Sequence, residues 1–482
     1  MSQTKRMDEA TRTAAENPKL GIKTVLGYGC ASAADSTSYN FAFMFLMYFL
    51  TTAAGVNPAA AGAIMMIATL IDAVAAPVIG HLSDDCMSAF GRRRPFILAG
   101  GLTLSITVVL LFTTVPIEGT AKLVYYMVFT ILLWVSYSTW YIPYTAFGAE
   151  IAVDYDSRTK LRVPAAIFNG LGNLLGMSAP MLILAALMEG GMSLSGAWTG
   201  IAAIIGCVVL VTILLTWMMT RGKELRPSDE ELREQKKQGF LSTYLKVLRL
   251  KPYKFLILSC ISFMATYTLV MTDMLYYVTC VMQVSEAVQS QATMVFIFAI
   301  IILTPVISSV AIKIGKKQTV AICFTISAFF MILFRFTGVD SAVMLDLYLF
   351  LFAIGNSAYW TLAIAIAYDM SEVYEVKYGE QREGAVQSLN LFFIKVSAAI
   401  FSGVMGSVLA FSGYDAARDV QTEAAVAGIS NLFTIIPAAF LLIAALIMLR
   451  FPLTKKKHEM LIQMIDNGEC NGEVPEELKD IL

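Results

Sequence analysis

The amino-acid sequence predicts an all-α membrane protein of twelve transmembrane helices in two six-helix halves, with both termini cytoplasmic. Three observations predict it. The 482 residues are 57% hydrophobic and only 15% charged, against about 25% charged in an ordinary soluble domain. Apolar runs of ~20 residues, long enough to span a bilayer, alternate with short charged breaks. The basic residues gather in every second break, and an excess of Lys and Arg marks the cytoplasmic side.

Residues 1–23 are polar, with no apolar stretch ahead of the first span, so they form a cytoplasmic N-terminus rather than a cleaved signal peptide. Six spans follow at 24–51, 57–82, 95–116, 121–147, 164–188 and 197–220, making an N-terminal half of 24–220. A charged inter-half loop covers 221–252. Six more spans lie at 253–282, 288–313, 318–338, 342–368, 386–412 and 428–451, the C-terminal half being 253–451. A polar tail covers 452–482, in which His458 to Ile465 has the pattern of a short amphipathic helix at the membrane surface. The basic breaks are Lys5 to Lys23, Arg92 to Arg94, Arg158 to Arg162, Arg221 to Lys254, Lys313 to Lys317, Lys377 with Arg382, and Lys455 to Lys457. The other breaks carry little beyond Lys122 and Arg418. A misplaced span would invert this alternation downstream.

The net charge of −1 implies no nucleic-acid partner. Seven cysteines are scattered without metal-ligand spacing, and the only histidines are His81 and His458, so neither a disulfide framework nor a resident metal or cofactor is expected. The lack of a nucleophile–base pair argues against an enzyme. The lack of a sizeable soluble domain argues against a membrane receptor. What remains is movement of a small-molecule solute through a monomer bathed in membrane lipid.

Ionisable residues inside spans carry the site prediction, because each costs at least ~2.5–3.5 kcal/mol at a helix centre. Asp35, Asp72 and Lys395 lie midway along the first, second and eleventh spans, and Asp273 lies in the seventh. At a rise of about 1.5 Å per residue, Asp35, Asp72 and Lys395 reach similar depth and could converge on one cavity. The alternative is that each locks a helix pair through a structural ion pair. Trp140, Tyr141 and Tyr144 around Pro143, and Trp360 after Asn356-Ser357-Ala358-Tyr359, could stack on the CH faces of a sugar. They could equally belong to the aromatic belts at the membrane surfaces. The substrate-binding candidates are therefore Asp35, Trp140, Tyr141, Tyr144, Asp273, Trp360, Asn390 and Lys395.

The turn Asp84-Asp85-Cys86-Met87-Ser88-Ala89-Phe90-Gly91-Arg92-Arg93-Arg94-Pro95 after the second span has a counterpart in Lys313-Ile314-Gly315-Lys316-Lys317 after the eighth. Two halves with basic Gly turns at matching places fit the major facilitator fold. Further segments resemble the glycoside–pentoside–hexuronide:cation symporters: Ile71-Asp72-Ala73-Val74-Ala75-Ala76-Pro77, Ile142-Pro143-Tyr144-Thr145-Ala146-Phe147-Gly148-Ala149-Glu150, Tyr368-Asp369-Met370-Ser371-Glu372, Gly379-Glu380-Gln381-Arg382-Glu383-Gly384 and Phe451-Pro452-Leu453-Thr454. The resemblance covers nearly the whole chain. It implies that Asp35 binds sugar hydroxyls, Trp360 lines the sugar pocket, Asp72 belongs to a coupling-cation site and Lys395 sits close to both. It implies that Asp84, Arg92, Arg93 and Arg94 latch helices between conformations.

The departures matter as much. The family's cation site often has a second acid one turn after the first, and that position here is Ala76. Ser138 is left as an oxygen ligand beside Asp72. A second sugar-binding acid is replaced by Tyr141, and a basic residue early in the fifth span falls near Ala165–Ala166. The reading is a secondary active transporter of a glycoside, oligosaccharide or uronide in the cell (inner) membrane, coupled to a proton through Asp72 or Asp273 rather than to sodium. The alternatives are a uniporter, or a carrier of a larger amphiphile such as a lipid or steroid conjugate.

Overall fold

The structure, a computed structural model, describes residues 21–84, 86, 88, 90–151, 155–222, 240–379, 383–418, 420–466 and 475–481. Among them run twelve long helices, labelled here in order. The first six are α1 (Ile22–Tyr48), α2 (Pro58–Asp84), α3 (Arg94–Leu111), α4 (Gly119–Ile151), α5 (Tyr155–Asn173 continued by Ala179–Glu189) and α6 (Leu194–Met219). The last six are α7 (Lys251–Tyr276), α8 (Ala287–Ile314), α9 (Lys316–Thr337), α10 (Ala342–Ala358 continued by Ile364–Tyr378), α11 (Glu383–Phe411) and α12 (Glu423–Phe433 continued by Ile435–Leu449). A short helix, Phe240–Arg249, precedes α7, and a tail helix, Lys455–Asp466, follows α12.

Local chemistry sets many of the ends. Ser193, Ser341 and Thr422 accept the backbone N–H three residues on and so cap α6, α10 and α12. Gly315 joins α8 to α9 at φ +96°, a backbone conformation open to glycine and strained for other residues. Several helices outrun the apolar stretch that betrays them: α4 reaches Ile151, α5 starts at Tyr155 and α10 reaches Tyr378. Hydropathy marks only the part of a helix that meets lipid, so polar end turns escape it. Eleven of the long helices are long and apolar enough to cross a membrane. The remaining one, α1, has similar length but is rich in Ser, Thr, Asn and Tyr, and most of it is buried among its neighbours.

Packing repeats along the chain. In the first six helices α1 lies on α5 and α6, α4 on α2 and α3, and α3 on α6. In the last six α7 lies on α11 and α12, α10 on α8 and α9, and α9 on α12. These are the same five pairs shifted by six helices. A π turn also follows both α1 (Phe49–Ala53) and α7 (Tyr277–Val281). The two sets meet mainly where α2 lies along α11 and where α5 meets α8.

At the end of the bundle that carries the basic turns, the tail helix docks on α10. His458 Nε2 lies 2.5 Å from Glu372 Oε2 and 3.5 Å from Asp369 Oδ1, while Lys316 Nζ donates to both Asp369 oxygens at 2.6 and 2.7 Å. The Glu372 hydrogen bond raises the His458 pKa above its ordinary value, ahead of the opposing effect of burial. A raised histidine stabilises docking fully below its unfolded pKa of about 6.5, and that stabilisation is lost as pH rises through the folded value. Amide protection in Lys455–Asp466, the exchange rate taken relative to the intrinsic rate at the same pH, is therefore expected to be greater at mildly acidic pH than at alkaline pH. His458→Gln should abolish the difference; an unchanged pH dependence in that variant would assign it elsewhere.

Candidate functional site

The site is organised by two consecutive residues of α4. Ser138 Oγ donates to Asp72 Oδ1 from α2. Lys395 Nζ, from α11, donates to Asp72 Oδ2 at 2.7 Å and to Ser138 Oγ at 2.9 Å. The three side chains close a ring of three hydrogen bonds. The Asp72 side chain is 2% exposed and that of Lys395 17%, so the pair is shielded, and charges in such surroundings need the hydrogen bonds they have here. Because α2 and α11 come from different sets of six, this ion pair joins the two sets.

Tyr137, next along α4, serves the neighbouring carboxylate. Its hydroxyl donates to Asp35 Oδ1 at 2.6 Å. Among the described residues no Lys or Arg pairs with Asp35. Aromatic rings surround this contact: Tyr39 lies 5.5 Å from Tyr137 and 5.6 Å from Trp134, and Tyr141 stacks on Tyr137 at 5.2 Å. Tyr39 also meets Phe43, which stacks on Tyr267 of α7, whose ring meets the edge of Trp360 at 6.3 Å. Trp360 stands in a π turn of α10, Tyr359–Ala363, and is 38% exposed. π turns of this kind recur at functional sites because they displace a side chain from the helical register.

The remaining candidates fall in distinct environments. Trp140 is fully buried among Tyr137, Tyr141 and Tyr144. Tyr144 stacks on Tyr28 at 4.5 Å and donates to the Tyr28 carbonyl, with Ser32 Oγ 2.9 Å from its hydroxyl. Both pack the walls of α4 rather than opening onto space. Asn390 is buried on α11, about 7.5 Å along the axis from Lys395. Asp273 is fully buried on α7, and neither carboxyl oxygen has a hydrogen-bond partner. Of the latch residues, the Asp84 side chain lies outside the described residues. Arg92 and Arg93 are half-buried. Arg94 is buried at the start of α3, donates to the Trp217 carbonyl and places its guanidinium 4.6 Å from the Trp217 ring centre.

Tyr137, Tyr39 and Tyr267 were not among the sequence candidates. Tyr137 had one available signal, its position beside Ser138 and one turn before Tyr141. The Lys316–Asp369–Glu372–His458 network had none, since its members come from three separate segments.

A sodium ion fits poorly between Asp72 and Ser138. Hard cations take about six or more oxygen ligands. Here one carboxylate and one hydroxyl are already engaged by Lys395, and Ala76, one turn along α2, supplies no oxygen.

The model of the family described as MFS/sugar transport protein matches residues 27–455. The glucuronide carrier protein homolog of Escherichia coli is 27% identical over 94% of this chain and 97% of its own length. The sodium-dependent lysophosphatidylcholine symporter 1-A of Danio rerio is 23% identical over 86% of this chain and 82% of its own. A crystallised nucleoside transporter superposes with a TM-score of 0.65 at 11% identity, over 89% of this chain and 99% of that one, which bears on the fold alone. The chain belongs to the MFS/sugar transport family. It is a multi-pass membrane transporter, not an enzyme.

Proposed function

We propose that this member of the family is a symporter of the cell's inner membrane that carries a glycoside, oligosaccharide or uronide by alternating access, coupled to a proton rather than to sodium. The observation that carries this reading is Asp35, a carboxylate with a tyrosine and no Lys or Arg partner among the described residues, set in a row of aromatic rings. Carboxylates accept from sugar hydroxyls, and rings cover the CH faces between them. The twelve-span count rests on α1: eleven crossings would put the termini on opposite sides, whereas α1 as a shielded twelfth returns both to the basic side. The inter-half ion pair Asp72–Lys395 gives the two halves a contact that rocking must make and break, and a solute that interacts differently with the two states shifts their balance.

Flux in reconstituted vesicles tests this. Glycosides are expected to be taken up, faster with an inward proton gradient. Asp35→Asn removes the charge from hydrogen bonds worth ~1.5–3 kcal/mol, so apparent affinity should fall about 10- to 150-fold with the fold intact. Sodium-driven accumulation surviving Asp72→Asn would sink proton coupling. The lysophosphatidylcholine symporter among the relatives favours one second reading, a larger amphiphilic solute. Uptake of a lysophospholipid with no uptake of any glycoside would select it.

A further inference from the structure

We propose that the Lys395 ammonium is the resident cation of this site: it occupies the place between Asp72 and Ser138 that an alkali ion would need, and so excludes sodium and lithium from the coupling step. This rests on the reading of the chain as a cation-coupled transporter and concerns which ion that site can accept.

Geometry comes first. The ammonium makes contacts of 2.7 Å to Asp72 Oδ2 and 2.9 Å to Ser138 Oγ, and Ser138 closes the ring onto Asp72 Oδ1. Both carboxylate oxygens are engaged, one by the hydroxyl and one by the ammonium. Charge comes second. Asp72 and Lys395 sum to zero behind 2% and 17% side-chain exposure. A sodium ion added to the pair would be an extra buried positive charge without a counter-charge, which a shielded site resists. Asp35, the other carboxylate on this side of α4, is held by Tyr137. The third element is the missing ligand. Residues four apart on a helix share a face, and both such neighbours of Asp72 on α2, Ala68 and Ala76, lack a side-chain oxygen. A proton needs no such room, because it is carried on a side chain already present.

Thermal unfolding of purified protein in sodium, lithium or choline chloride at matched ionic strength tests the assignment without transport. The wild type is expected to melt at the same temperature in all three. Lys395→Ala frees the position and should gain a saturable upward shift in sodium or lithium over choline. Should that variant not fold, Lys395→Asn, which removes the ammonium but keeps a hydrogen-bonding side chain, is expected to gain the same ion-specific shift. A saturable sodium shift in the wild type would overturn the proposal, and so would silence of the folded variants to both ions. Failure of every solute in the flux assay would sink the transport reading while leaving these melting results standing.

Discussion

Asp72→Asn is expected to cost ~3–5 kcal/mol of stability, the penalty for leaving one member of a buried ion pair without its partner. The Lys395 ammonium would keep its contact to Ser138 but lose its counter-charge, in a place where its side chain is only 17% exposed. Lys395→Met should cost a similar amount by stranding the carboxylate. The double variant Asp72→Asn/Lys395→Met removes both charges and should recover most of the loss, because a neutral pair of similar volume is often no worse than the ion pair. Urea or thermal unfolding in one detergent reads all three, and the cycle isolates the pairwise part. Transport should stay at background even where stability returns, since the pair joins α2 to α11 across the two sets of helices. Single variants as stable as the wild type would mean that water reaches the pair freely. A double variant with normal transport would leave the pair a structural staple only.

The long helices were legible because lipid imposes a length and a polarity on whatever crosses it. The charge alternation adds an expected direction for each crossing, and it supports α1, whose composition is more polar than that of the other spans. The candidate site was legible in part. Burying Asp35, Asp72 and Lys395 is costly enough to single them out, and the rise of a helix sets their depth. Depth is one coordinate, however, and contact needs the direction each side chain faces as well. Sequence therefore could not tell whether Lys395 would meet Asp72 or Asp35, and the structure gives it to Asp72. Tyrosines are common in membrane helices, so Tyr137 carried no mark until Asp35 was found 2.6 Å from its hydroxyl. Trp140 and Tyr144 show the opposite case. Their residue types suit a sugar pocket, but both are buried, Trp140 against the other rings of α4 and Tyr144 against Tyr28 of α1.

A side chain on Gly406 is expected to slow transport while sparing solute binding. Gly406 of α11 faces Gly62 of α2 at the end of the bundle away from the basic turns. An added Cβ there would lie 2.4 Å from the Pro58 carbonyl oxygen and 2.8 Å from the Gly62 Cα. Both are backbone atoms, so no rotamer change relieves the overlap, and α2 and α11 must part. Overpacking of this kind costs ~1–3 kcal/mol, which lowers the population of the closed arrangement by a factor of roughly 5 to 150. The same two helices carry Asp72 and Lys395, so parting them at the glycines also stretches the ion pair further along. Gly406→Val should thus hold this end open: a cysteine placed near Pro58 becomes reactive to an impermeant thiol reagent, and uptake falls by a similar factor. Binding at the proposed site of Asp35 and Tyr137 is expected to stay, because those residues lie on α1 and α4, clear of the contact. Normal uptake by the folded variant would show that the cycle does not close these helices on each other.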